Sequence, residues 1–117
     1  MNNYHLLIAS SSNMSFPIAS SAVELFYKWG FSIQASYAGN LAAGQLFLRG
    51  SNDITSPTSP VPTTWTNITA STAIVNGAGS TMWDSQFANY RWVQMVFTPS
   101  GSGSTGLLTA IANVKGV

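Results

Sequence analysis

The sequence predicts an all-β fold: a single-domain antiparallel β-sandwich, jelly-roll-like, of about eight strands. Three observations carry this expectation. Short segments alternate apolar and polar residues with a period of two. Helical periodicity is nearly absent. Gly, Pro, Ser and Asn punctuate the chain at short, regular spacing. Short strands in an even number, with one long cross-connection, fit a jelly roll. At 117 residues, 45% hydrophobic and 12% aromatic, the chain has enough apolar mass for one core, so residues 1–117 read as one domain. Within it, residues 1–19 read as an N-terminal strand or arm and residues 51–63 as one long Pro/Ser/Thr loop.

The elements follow in order. "YHLLIAS" opens the chain as a strand. "AVELFYKW" is short enough for one helical turn, but its aromatic content and the strand that follows favour β, with Gly30 as a bend or bulge. In "FSIQASY", Phe31, Ile33, Ala35 and Tyr37 fall on one face and Ser32, Gln34 and Ser36 on the other, the pattern of a half-buried strand. "GQLFLRG" is a strand bounded by glycines, closed by a Ser-Asn-Asp turn of Asx type. "TTWTNI", "TAIVNG" and "STMWDS" are short strand candidates. "YRWVQMVFT" is the most strongly β segment and stops at Pro99. Val93, Met95 and Phe97 share one of its faces; Trp92, Gln94 and Val96 share the other. Apolar residues on both faces mark a strand that is central in its sheet or covered by another subunit. "PSGSGSTG" is a hairpin loop, and "GLLTAIANVKG" closes the chain as a strand whose Thr, Ile and Val outweigh its alanines.

Composition narrows the function classes. Charged residues make up 6% of the chain, against about a quarter in an average globular protein. A surface built from Ser, Thr, Asn, Gln, Gly and Ala suits a protein held in a permanent assembly, or a secreted β-protein. Net charge is +1, and Lys28, Arg49, Arg91 and Lys115 are scattered. Nucleic-acid binding by counterion release needs several clustered cations, and an anionic membrane needs a basic run; neither is present. The chain has no cysteine, which removes disulfides and thiolate metal sites. The N-terminus has no basic region before its short apolar run, Leu6 to Ala9, so no export signal is expected.

Catalytic readings find little material. His5 is the single histidine and lies in the first strand, without an evident orienting partner. No Gly-x-Ser-x-Gly elbow occurs. The carboxylates are Glu24, Asp53 and Asp84; a glycosidase would need two across one bond. Ser51, Asn52 and Asp53 could offer oxygens to Ca²⁺, but a turn accounts for the same residues. No catalytic residue, metal or cofactor is therefore expected. "NMS" at 13–15 and "NIT" at 67–69 match the glycosylation sequon, without a secretory signal to give it use. Arg49 with Asp53, and Asp84 with Arg91, read as local ion pairs. The four tryptophans read as core or interface residues ahead of sugar platforms. The Pro/Ser/Thr loop carries no reactive group, and its prolines lower the entropy cost of ordering it against a neighbour. Protein–protein contact is accordingly expected at Arg49, Asp53, Pro57, Pro60, Pro62 and Trp92.

The order of "FSIQASYAGN", "GQLFLRGSND", "TTWTNI", "GAGSTMWD" and "YRWVQMVFTPSGSGSTGLLTAIANVKG" resembles small β-sandwich structural proteins of bacterial viruses, over roughly residues 20–116. It is similar also to the discoidin-type galactose-binding jelly roll, in which a Ser-Asx-Asp turn precedes a Trp-Thr strand. The viral resemblance implies a virion component and leaves its place on the particle open. Taken with the polar, low-charge surface, it leads to the expectation of a non-enzymatic capsid decoration or cement protein made in the host cytoplasm, homo-oligomeric, whose partners are the major capsid protein or neighbouring structural subunits. The alternative it leaves open is a receptor- or glycan-binding module of a tail or spike, or a tail or head–tail connector component.

Overall fold

The computed structural model describes residues 2–25, 28–39, 43–53, 62–69, 72–75, 78–85, 90–100 and 106–116. Within these the chain is all β: β1 (Asn2–Asn13), β2 (Ile18–Ala19), β3 (Val23–Glu24), β4 (Lys28–Ala38), β5 (Ala43–Ser51), β6 (Thr66–Asn67), β7 (Thr72–Val75), β8 (Gly79–Ser85), β9 (Trp92–Pro99) and β10 (Leu107–Gly116). A four-stranded sheet runs β1-β10-β4-β8. A six-stranded sheet runs β2-β9-β5-β6, with β3 also on β9 and β7 also on β5. Every pairing is antiparallel.

The ten segments fill eight strand positions. β2 and β3 occupy one edge of β9 in turn, and β6 and β7 one edge of β5. With each broken strand counted once, the orders become β1-β10-β4-β8 and β2/β3-β9-β5-β6/β7, and nearly every connection crosses from one sheet to the other. That is a jelly roll.

Both breaks have a local cause. Between β2 and β3 the register on β9 slips by one residue. Ser20 sits at the slip, buried. Its N–H donates to the Met95 carbonyl at 2.9 Å, and its hydroxyl accepts the Met95 N–H at 3.0 Å while donating to the Ser21 carbonyl. A side chain thus completes the ladder where the backbone leaves it. On β5, the Leu48 N–H finds the Thr69 hydroxyl at 2.8 Å, so "TTWTNI" pairs as a strand only at Thr66–Asn67.

The core lies between the sheets. β9 alternates as its sequence requires: Val93, Met95 and Phe97 are buried, while Trp92, Gln94 and Val96 are half-buried on the outside. β9 stands between β2/β3 and β5, and its outward side chains are half-buried among those of its neighbours. β4 contributes Phe31, Ile33 and Ala35, β5 Leu46 and Leu48, and β10 Leu108, Ala110, Ala112 and Val114. Each large aliphatic or aromatic side chain among these stabilises the fold by about 1.5–3 kcal/mol. Gly44 permits this packing. Its φ is +153°, and a Cβ there would collide with the Thr98 carbonyl oxygen and lie 2.7 Å from the Phe97 ring.

Candidate functional site

The outer face of the six-stranded sheet gathers the aromatic and cationic side chains of β5, β9 and the segment before β6. Strand alternation sends Phe47 and Arg49 outward from β5, and Trp92, Gln94 and Val96 outward from β9. Phe47 is paired with Val96, Arg49 with Gln94 and Ser51 with Trp92. The Arg49 Nε donates to the Gln94 Oε1 at 2.6 Å, and the Gln94 Nε2 donates to the Ser20 carbonyl at 2.6 Å. The guanidinium also lies 5.1 Å from the centroid of the Trp65 ring, a cation–π contact. One polar chain therefore crosses β5, β9 and the β2/β3 break, with an indole over its charged end.

At the end of this sheet, Ser51, Asn52 and Asp53 act as a clamp. The Asp53 N–H donates to the Ser51 hydroxyl at 3.1 Å, so the turn belongs to Ser51 and not to an Asx side chain. The Asp53 Oδ2 accepts the Thr64 N–H at 2.7 Å and the Thr63 N–H at 2.8 Å. The amides of Thr64 and then Thr63 hold the Asp53 carboxyl below its ordinary value. The Arg91 N–H is shared between the Asn52 Oδ1 at 3.1 Å and the Ser51 carbonyl at 3.0 Å.

One local expectation is corrected. Among the described residues Arg49 forms no ion pair with Asp53, because the guanidinium is taken by Gln94 and Trp65 and the carboxylate by the two threonine amides. The Ser-Asn-Asp turn spends its polar atoms on the backbone, and among the described residues no group of three His, Asp or Glu could hold a metal ion. Of the expected contact residues, Arg49 and Trp92 share the outer face of the six-stranded sheet, Asp53 ties the two ends of the loop together, and Pro62 is buried. Pro57 and Pro60 lie outside the described residues. Phe47 and Trp65 join the same face and are not marked out by spacing; the pairing of β5 with β9 sets Phe47 beside Val96 and Arg49 beside Gln94, and Trp65 joins through its contact with the Arg49 guanidinium.

Comparison with known proteins places the fold. No family model and no curated protein matches the chain. Two solved structures share its architecture over almost its full length. The chain is similar to the SPBc2 prophage-derived protein YomS, with TM-score 0.56 and 10% identity over 98% of this chain and 96% of that one. It is similar also to the coat protein of Tobacco streak virus, with TM-score 0.50 and 9% identity over 97% of this chain and 86% of that one. At such identities the likeness is one of fold, the antiparallel β-sandwich, and it lends nothing to the discoidin side of the resemblance.

The other outward face, on the four-stranded sheet, is built differently. Leu7, Ile111, Gln34 and Met82 stand in one row across its four strands. Leu7 and Met82 are each 60% exposed and Ile111 47%. Polar residues flank the row: Asn113 and Ser32 on one side, Thr109 and Ser36 on the other. β1 forms one edge of this sheet and carries the exposed Leu6 and Leu7.

Proposed function

We propose that the protein is a non-enzymatic structural component of a bacteriophage virion, a decoration or cement subunit that attaches to the shell through the outer face of its six-stranded sheet. The observation that carries this reading is the pre-ordered group of Arg49, Gln94 and Trp65, with Trp92 and Phe47 on the same face. Trp and Arg dominate the energetics of protein interfaces, and side chains already fixed in the free subunit lose little entropy on docking. The fold shared with a prophage protein and a virus coat protein supports a virion setting. The partner is the major capsid protein or a neighbouring structural subunit, and Asp53 serves the contact by closing the loop beside it.

Copies associate with one another along β1. This edge strand runs 12 residues without Lys, Arg, Asp, Glu or Pro, the residues that ordinarily block edge-to-edge pairing. Many copies, each joined to the shell and to a neighbour, turn modest contacts into a stable attachment. The mechanism is mechanical: apolar and polar surface is buried, and no bond is made or broken.

A chain with so few charges attaches in a salt-tolerant way, because little of the contact energy can be screened. Co-sedimentation of the purified protein with particles lacking it, across a rising NaCl series, tests this. Attachment that persists into molar salt is expected; release at moderate salt, or no attachment, overturns the reading.

A further inference from the structure

We propose that the outer face of the four-stranded sheet carries a binding groove for a neutral saccharide, at Trp29, Asp84 and Asn113. The groove has a volume of about 480 Å³, within the range of about 300–1,000 Å³ common for small-molecule sites. Its floor is small: Gly30 and Ser32 on β4. Its walls are larger. Lys115 and Asn113 stand opposite these two residues on β10, and Asp84 stands opposite Ser32 on β8, beside Met82. Short side chains between long ones leave a trough along β4.

A bulge supplies the platform. Gly30 pairs with Lys115, but Lys28 pairs with Gly116, so Trp29 is an extra residue in the ladder. A bulge re-aims the side chain it carries. Trp29 shares the parity of the buried Phe31 and Ile33, yet it stands 39% exposed and lines the groove. The Lys115 ammonium, 5.4 Å from the centroid of its ring, holds the indole against β10.

The second observation is independent of the trough. The Asn113 Oδ1 is buried and has no hydrogen-bond partner among the described residues. A buried acceptor left unmet is costly, and a ligand that brings a donor recovers the loss. Asn113 lines the groove beside the long, unbranched Met82, and a donor reaches the buried oxygen by displacing a side chain of that lining while Lys115 keeps its place on Trp29.

The chemistry selects the ligand. Asn113 Oδ1 and the Asp84 carboxylate are acceptors, so the ligand must offer O–H or N–H groups. One carboxylate and one ammonium leave the groove without a net charge, which favours a neutral ligand over a phosphate, and a single carboxylate beside an ammonium is no cation site. An indole at the edge suits a ligand with an apolar C–H face. A pyranoside has both faces: hydroxyl donors on its rim and C–H groups beneath. This groove and the Arg49–Trp65 surface lie on opposite sheets, so a subunit attached by one keeps the other open.

The test is a titration of ¹⁵N-labelled full-length protein with the methyl glycosides of glucose, galactose, mannose and N-acetylglucosamine. The signals read are the Trp29 indole N–H and the Asn113 carboxamide. At least one glycoside is expected to shift both saturably, with affinity falling about tenfold or more in Trp29→Ala and in Asn113→Leu. Asn113→Leu is expected to melt no lower than wild type, because it removes an unmet acceptor, so its loss of binding cannot be ascribed to misfolding. Triglycine amide, which has N–H donors but no pyranose ring, is expected to leave both signals unmoved. Equal shifts with triglycine amide would overturn the saccharide assignment in favour of a peptide. No shift with any of the four glycosides, shifts confined to other residues, or undiminished binding by both variants would overturn the site.

Discussion

Arg49 and Gln94 stand directly opposite one another on β5 and β9, and their side chains are joined by a 2.6 Å hydrogen bond from Nε to Oε1. The pair fixes one of the chain's four cations on a sheet face where Trp65 covers it. Arg49→Ala leaves the Gln94 oxygen unmet and the indole loose. The expected cost is about 1 kcal/mol in chemical denaturation, small enough to leave the protein folded. If the face docks, attachment to particles falls by far more than stability does. Equal attachment by wild type and variant would remove Arg49 from the contact.

Ser20 tests the architecture itself. Its hydroxyl replaces a missing backbone partner for the Met95 N–H in the centre of the six-stranded sheet. Ser20→Ala strands that buried donor, for an expected loss of about 1–3 kcal/mol. Calorimetry should register it as a fall in Tm of roughly 4–10 °C. A variant as stable as wild type would mean the break between β2 and β3 is not closed by this side chain.

Asp53 gives the clamp a pH dependence with a definite sign. The Thr64 and Thr63 amides depress its carboxyl in the folded state. The folded value lies below the unfolded one, so the contribution to stability is present above the unfolded value, about pH 4. It is lost as pH falls through the depressed folded value. The amide signals of Thr63 and Thr64 should titrate together with a midpoint below the ordinary aspartate range, and Asp53→Asn should abolish that titration. A midpoint at or above the ordinary range would contradict the clamp.

Leu7 probes the β1 edge. Leu7→Lys puts a charge on an exposed edge strand, the device by which sheet proteins resist edge pairing. Sedimentation velocity should find the wild type self-associating and the variant monomeric, with matching circular dichroism. A monomeric wild type would end the edge-pairing proposal.

Much of the fold was legible in the sequence because alternation is a local signal. The β4 and β9 faces follow from "FSIQASY" and "YRWVQMVFT" residue by residue, and Pro99 closes β9 as its missing N–H requires. What alternation cannot register is a slip in pairing. Residues 1–19 read as a strand or arm, but Ile18–Ala19 is a separate strand in the other sheet, and its continuation at Val23–Glu24 depends on a hydroxyl 75 residues away from its partner. The bulge expected near Gly30 is present, yet its consequence, Trp29 turned outward, is set by where Lys28 meets Gly116. The candidate face was half legible for the same reason. Arg49 and Trp92 announce themselves as a cation and an indole in strands, whereas Gln94 gains its role by facing Arg49 across β5 and β9, and Trp65 by lying over the Arg49 guanidinium.

On the proposed function, this jelly roll is a shell subunit held by the outer face of its six-stranded sheet. A particle reconstruction, with copy number measured by quantitative mass spectrometry, tests it most directly. Many copies are expected over the shell, each with Arg49, Trp65 and Trp92 against the capsid and Trp29 turned to solvent. Absence from the particle, a few copies confined to the tail or one vertex, or the four-stranded sheet lying against the shell would contradict it.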